Sequence, residues 1–354
     1  MRIAMISTPF LSVPPRDYGG TELIVYELVE GLTAKGHEVV LYATGDATSS
    51  AELKYLYSRP QWPPAPLPDI NHVSWAISEI ISDGSFDIVH THSAFALPFS
   101  RLHPEIPLIY TLHHARDEDL SQFYRNFPDI RYIAISENQR RQEIPLRNCM
   151  VIPHGLDEDR YRYSETPADY VCFIGRFAEV KGPHTAIDVA KNAGLPIKVA
   201  GEVHQVDKEF AEREVMPRLA QPHVDFLGCV GNDRKVPLLQ NARALLAPIT
   251  WEEPFGLFMI EAMLSGCPVV GFPRGDLPEL VEPGITGFIV TSPAEMAEAI
   301  RPGGVLDSFD RRRCRQRAAI RFSRSRLASD HEIAYAELLS RSPARKSNLQ
   351  LQHR

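Results

Sequence analysis

The 354-residue chain carries 38 Lys and Arg against 45 Asp and Glu, a net charge of −7, with 44% hydrophobic and 23% charged residues. These ordinary globular proportions exclude fibrous, disordered and membrane-spanning chains, and the net acidity argues against bulk binding to nucleic acid. The length exceeds one ordinary core and predicts two domains of roughly 150 to 180 residues each. No apolar run approaches the roughly 20 residues of a bilayer helix, and the start "MRIAMISTPF" lacks the apolar stretch of a signal peptide, so a cytoplasmic protein is expected. Cys149, Cys172, Cys229, Cys267 and Cys314 are odd in number, scattered and never spaced as a CxxC pair. They read as reduced thiols, not as a disulfide framework or a zinc site.

The first 150 residues alternate short apolar runs with amphipathic segments: "RIAMIST", "ELIVYELVEGLTAKG", "EVVLYAT", "FDIVHTH", "PLIYTLHH" and "RYIAIS". That alternation predicts a parallel sheet covered by helices on both faces. "SRPQWPPAPLPD", Ser58 to Asp69, interrupts it and reads as an irregular surface loop. After a junction near "VIPHGLDEDRY" the same grammar returns, with "YVCFIGRF", a helix near Gly182 to Ala193, "IKVAGEV", a helix near Lys208 to Leu219, "VDFLGCV", "ARALLAPI", a helix carrying Glu261, and "PVVGF".

The expected architecture is α/β, with two Rossmann-like doubly wound domains facing a central cleft, at 1–155 and 156–325. A C-terminal helix at 326–341 follows, free to pack on either domain, and then a disordered tail at 342–354. Residues 301–354 hold thirteen Lys and Arg against five Asp and Glu. The run "DRRRCRQRAAIRFSRSR" reads as a solvated helix face; contact with anionic lipid is the less favoured reading, as no Trp- or Phe-rich face accompanies it.

In open α/β sheets ligands bind beyond the C-terminal ends of the strands, so the chemistry is sought there. Gly19 and Gly20 precede a helix near Thr21, a place where free amides and the helix dipole favour an anion. A plain helix start explains them equally well, and they do not form the GxGxxG of dehydrogenases. His90 and His92 end one strand and His113 and His114 another. Alternation puts His90 and His92 on one face, but no carboxylate or Cys completes a metal shell, and His92 reads as a hydrogen-bonding group. In "GRFAEVKG", Arg176 and Lys181 follow a strand, a rigid fork beside a mobile charge, suited to a diphosphate or else a solvated cationic turn.

"EPFGLFMIE" sets Glu253 and Glu261 eight residues apart around an apolar run. Carboxylates are rarely buried without partners. Pro254 predicts the first helical turn, which makes the amides of Phe255, Gly256 and Leu257 first-turn donors and places Glu253 in the preceding loop. Glu261 then lies about 6 to 9 Å further along the axis. A ligand with a sugar at one end, a ribose at the other and phosphates between would span that distance.

"GRFAEVKG", "EPFGLFMIEAMLSGCPVVGF", "RGDLPELVEPGITGFIV" and "YGGTE" together resemble the retaining nucleotide-sugar glycosyltransferases of family four, of GT-B architecture, over Met1 to about Leu339. The resemblance implies an acceptor side in the first domain and a donor side in the second. It implies that Glu253 contacts donor-sugar hydroxyls, Glu261 the ribose, Arg176 and Lys181 the diphosphate, Gly20 that same group through its amide, His92 the transferred sugar and Val230 the base. The chain departs from the family at His154, where Asn is common, and at Asp276, where a small residue is usual.

The implied reaction is metal-independent transfer, with retention at the anomeric carbon, from a nucleoside-diphosphate sugar such as a UDP- or GDP-sugar. The acceptor would be a sugar, a lipid-linked or a small-molecule compound. No side chain is an obvious nucleophile, so the leaving diphosphate would take the acceptor's proton, with Arg176, Lys181 and free amides stabilising its charge. No cofactor is expected. A nucleotide-sugar epimerase of the same architecture and a binding protein without turnover are the alternatives. The two "DED" triplets at Asp117 to Asp119 and Asp157 to Asp159 lack the strand context of a GT-A metal site and read as surface acids.

Overall fold

The computed structural model describes residues 1–16 and 19–341; the tail expected at 342–354 lies outside the described residues. The chain divides into two units, Met1–Leu156 with the segment from Arg324 onward, and Asp157–Ser323.

The first unit is built on a seven-stranded parallel sheet. Its strands are β1 (Arg2–Ile6), β2 (Glu38–Tyr42), β3 (Glu52–Lys54), β4 (Ile88–Thr91), β5 (Leu108–Thr111), β6 (Arg131–Ala134) and β7 (Cys149–Val151), in the order β3-β2-β1-β4-β5-β6-β7. Strands β1, β4, β5 and β6 are buried along almost their whole length. They are apolar on both faces because one set of side chains packs with Val73, Ile77 and Tyr124 and the other with Leu28, Leu32 and Tyr335. Chain order reverses between β1 and β4, so the segments leaving those two strands, one running to Gly19 and Gly20 and the other starting at His92, diverge at a crevice-forming switch point.

The Arg324–Arg341 helix closes the second face by packing on the Gly20–Ala34 helix. Gly31 makes the approach close: a Cβ there would lie 2.9 Å from that of Ala328. Beside it Arg324 donates to the buried Glu27 at 2.5 Å. The expected loop at 58–69 ends early, because the Pro66–Asp83 helix begins inside it. Pro66 and Pro68 are accommodated in the first turn, where amides have no intrahelical acceptor to lose.

The second unit has six parallel strands, β8 (Val171–Ile174), β9 (Ile197–Ala200), β10 (Val224–Gly228), β11 (Ala244–Ala247), β12 (Val269–Gly271) and β13 (Gly287–Ile289), ordered β10-β9-β8-β11-β12-β13. Its switch point falls between β8 and β11. β8 leads into Arg176 and Lys181 and β11 into Glu253, so the topology brings together two loops far apart in sequence. Gly182, at φ +72°, fixes their approach, since a Cβ there would sit 2.5 Å from the carbonyl oxygen of Pro248.

The Arg-rich run forms the Arg311–Phe322 helix, whose Arg312, Arg313 and Arg317 lie on a solvated face as expected, while Arg311, Arg315 and Arg321 turn inward. Buried Arg311 donates to the carbonyls of Ser164, Ala242 and Gln240, each at 2.7 Å. Arg315 donates to Leu264 O at 2.5 Å and Glu158 O at 2.9 Å, and Arg321 to Leu280 O at 2.9 Å. These guanidiniums satisfy carbonyls at element ends that would otherwise be buried without partners, a role that the charge pattern alone does not disclose. No helix among the described residues is long and apolar enough to cross a membrane.

Candidate functional site

In the second unit the helix expected from Pro254 starts later, at Leu257, and runs to Leu264. Gly256 is its N-cap in a left-handed conformation, at φ +41°, which turns the chain sharply and leaves Glu253, Pro254 and Phe255 in the preceding loop. Of the three amides expected in the first turn, only that of Leu257, the first helical residue, belongs there. Glu261 is the fifth residue of the helix and is buried.

Each glutamate is held in the same way. Glu253 Oε2 receives the Lys181 ammonium and, at 2.9 Å, the indole N–H of Trp251. Glu261 Oε1 receives Lys235 Nζ at 2.5 Å and the Tyr161 hydroxyl at 3.1 Å. In both, a lysine and an aromatic donor converge on one oxygen, and the other has no hydrogen bond among the described residues. Lys181 also lies 5.0 Å from the Trp251 ring centroid and 6.0 Å from that of Phe258. Its charge is therefore steadied by a carboxylate and two aromatic faces. Arg176 Nε stands 3.1 Å from Asp207 Oδ2 but out of hydrogen-bond line, so this contact orients the guanidinium weakly. Val230, just beyond β10, is buried. It precedes the Asn232–Asn241 helix that carries Lys235.

Lys235, Tyr161 and Trp251 escape the sequence reading. Trp251 stands two residues before Glu253, a spacing that brings its indole back to the carboxylate. Lys235 and Tyr161 lie 26 and 100 residues from Glu261, and nothing local signals them.

At the switch point of the first unit, Gly19 caps the Gly20–Ala34 helix and Gly20 is its first residue, whose amide has no intrahelical acceptor. A Cβ on Gly19 would meet Leu11 Cδ1 at 2.7 Å and Pro15 Cβ at 2.9 Å, so the long loop folds back onto the helix start. Glu22, buried in that first turn, accepts from Thr8 at 2.5 Å. Burial raises its pKa, which lessens the repulsion an anion would meet there.

His92 follows β4 and is buried, with Nδ1 2.7 Å from His113 Nε2 and Nε2 3.3 Å from the Met5 sulfur. His90 stacks on it at 4.6 Å between centroids, and its nitrogens meet the Tyr335 hydroxyl at 2.7 Å and Thr111 Oγ1 at 2.8 Å. The rings of His331 and His154 extend the stack, 5.4 Å from His90 and 5.5 Å from His113. Burial lowers all five imidazoles, His113 to about 3 and His331 to about 4. Among the described residues no three His, Cys, Asp or Glu side chains are grouped to hold a metal ion. A cavity of about 570 Å³ lies elsewhere in this unit, between Leu11, Ser12, Arg16, Asp46 and Ser58 to Pro60.

Two parallel-sheet Rossmann-like units are the architecture of GT-B glycosyltransferases. The family model for glycosyl transferases group 1 matches residues 158–318, and that for Glycosyltransferase Family 4 matches residues 18–160. The chain is 26% identical over 332 residues to a phosphatidyl-myo-inositol mannosyltransferase of Mycobacterium leprae, covering 85% of this chain and 86% of the relative. AviGT4, a glycosyltransferase involved in avilamycin A biosynthesis, superposes with a TM-score of 0.75 at 25% identity, over 96% of this chain and 98% of its own. Anabaena HepE, solved in complex with UDP, shares the fold at a TM-score of 0.72 and 18% identity, over 95% and 100% of the two chains. The chain belongs to the glycosyltransferases of family four.

Proposed function

We propose that this glycosyltransferase moves a sugar from a nucleoside-diphosphate sugar, a UDP- or GDP-sugar, with retention at the anomeric carbon and without a metal ion. The observation that carries the reading is the matched restraint of Glu253 and Glu261, each with one oxygen held by a lysine and an aromatic donor and the other without a hydrogen bond among the described residues. A carboxylate so held keeps its orientation and can still accept a hydrogen bond from a vicinal hydroxyl. Glu253 would take the sugar end of the donor and Glu261 the ribose, with Val230 against the base.

Lys181 and Arg176 would turn to the diphosphate when it arrives and so stabilise the leaving group as its charge grows. The diphosphate oxygen would accept the acceptor's proton on the same face, as the sequence offers no obvious side-chain nucleophile. His92 would contact the transferred sugar only after giving up His113, because both its nitrogens now face protein groups. An acceptor, whether sugar, lipid-linked or small molecule, would use the first unit. Arg59, with Arg16 partly offset by Asp46, beside the cavity at Leu11 to Pro60 would suit one with negative charge.

Cys149, Cys172, Cys267 and Cys314 form no disulfide among the described residues, which fits a reducing, cytoplasmic compartment. The family and the relatives lend nothing to the epimerase or the binding-protein alternatives. The test is calorimetry with UDP and GDP, followed by product analysis with the matching nucleotide sugar and a panel of acceptors. A product of inverted anomeric configuration would refute retention, and failure of both nucleotides to bind would refute the donor assignment.

A further inference from the structure

Asp276 opens the short Leu277–Leu280 helix and is fully buried. An Asp at a helix start ordinarily accepts a first-turn amide, as Asp310 does from Arg313 N at 2.9 Å in the same unit. Asp276 does not. Its backbone lies in the helical region, at φ −88° and ψ −3°, and its side chain makes no capping bond. Neither carboxyl oxygen has a hydrogen-bond partner among the described residues.

The turn that carries Asp276 is pressed onto Glu253. Gly275 stands at φ +59°, and a Cβ there would lie 2.4 Å from Glu253 N and 2.6 Å from its carbonyl oxygen. The amide of Asp276 donates to that same carbonyl at 3.2 Å. Burial, reinforced by Glu253 and Glu279 and opposed by Lys181, holds the Asp276 carboxyl well above the usual carboxylate range. These surroundings favour the neutral acid, which has one proton to donate and lone pairs to receive. A buried polar group left unpaired is costly to the fold and calls for an explanation such as a ligand that completes it.

We propose that Asp276 is a specificity-determining residue of the donor site, pairing with hydroxyls of the sugar that Glu253 contacts and setting the site against sugars that carry a carboxylate. The inference rests on the reading of Glu253 as the sugar-end contact. Hydroxyls can both donate to Glu253 and exchange hydrogen bonds with Asp276. A uronate would instead bring a further negative charge beside Glu253 and Glu279, and its carboxylate, which only accepts, could use the single proton of Asp276 but not its lone pairs.

The experiment measures binding of UDP and GDP first, then uses the matching pair of donors, UDP-glucose with UDP-glucuronate or GDP-mannose with GDP-mannuronate. Nucleotide affinity, donor hydrolysis and melting temperature are compared for wild type, Asp276→Asn, Asp276→Ala and Glu253→Gln. Both Asp276 variants should bind the sugar-free nucleotide within about twofold of wild type and lose about tenfold or more in kcat/KM with the neutral donor, the scale of one strong hydrogen bond. Their preference for the neutral over the uronate donor should narrow by about tenfold. They should melt no lower than wild type, since an unpaired buried carboxyl has gone.

Wild-type sugar handling in both Asp276 variants, with Glu253→Gln impaired, overturns the proposal and leaves the sugar-end reading intact. Wild-type handling in all three overturns both. Lower melting temperatures in both Asp276 variants, with an unchanged sugar preference, assign Asp276 to the fold alone and also overturn the proposal.

Discussion

The two units share one topological plan and furnish their switch points with opposite chemistry. In the first, buried imidazoles stack from His331 through His90, His92 and His113 to His154, and burial keeps them neutral. In the second, two glutamates are each tied to a lysine, Lys181 to Glu253 and Lys235 to Glu261. A stack of neutral rings resists charge and supplies shape and hydrogen bonds. Ion pairs at strand ends hold charges that a ligand can redistribute, since a diphosphate competes for the lysines and hydroxyls for the carboxylates. The parallel sheet dictates neither; it dictates only where such side chains emerge.

The largest effect expected from this contrast is acid lability of the first unit. Its imidazoles have folded pKa values below the ordinary 6.5, so they favour the fold fully above pH 6.5. As pH falls below that, the unfolded chain takes protons that the fold refuses, and stability drops. At pH 5 a histidine such as His113 or His331 forfeits about 2 kcal/mol. Asp69, raised to about 6 by burial, works in the other direction and offsets part of the loss. Melting curves between pH 7 and pH 5 should shift down by several degrees, and His113→Asn should flatten the dependence. A melting temperature constant over that range would refute the neutral stack.

Next in size is the loss of nucleotide affinity on removing a cation from the second unit. Lys181→Ala and Arg176→Ala should each weaken nucleoside diphosphate binding by about 10- to 100-fold, equivalent to about 1.5 to 3 kcal/mol, while His113→Asn should leave it unchanged. Calorimetry decides, and unchanged affinity in both cation variants removes the phosphate role from this loop.

The two glutamates sharpen the comparison within the second unit. Glu261→Gln should weaken donor and sugar-free nucleotide alike, by about tenfold, because the ribose stays on the nucleotide after transfer. Glu253→Gln should lower kcat by a similar factor and spare nucleotide affinity, because a contact strongest in the transition state shows in rate. Equal effects of the two on nucleotide binding would end this division of labour. The smallest expected effect is that of EDTA, which should leave transfer or donor hydrolysis at its untreated rate, the lysines and Arg176 serving where a divalent cation otherwise would. A rate lost to EDTA and restored by magnesium or manganese would contradict that.

Local pattern made much of this legible. Apolar runs of strand length alternating with amphipathic segments were enough to expect two doubly wound units, because burial on both faces of a parallel sheet leaves that signature. Glu253 and Glu261 were visible as charges inside an apolar run. The start of their helix was misread, since Pro254 is a sound first-turn residue and the left-handed turn at Gly256 has no equally strong local sign. Arg311 and Arg315 were read as solvated because charge runs usually are; their inward bonds depend on carbonyls brought to them by the rest of the unit.

What the sequence by itself determined was the order and kind of elements and the residue types at the strand ends, all properties of short windows in which periodicity and turn chemistry operate. Only the tertiary structure decided who meets whom. Lys181 reaches Glu253 across 72 residues and His90 reaches Tyr335 across 245. Such pairings follow from strand order, a consequence of how the whole chain buries its apolar faces, so no local stretch of residues encodes them.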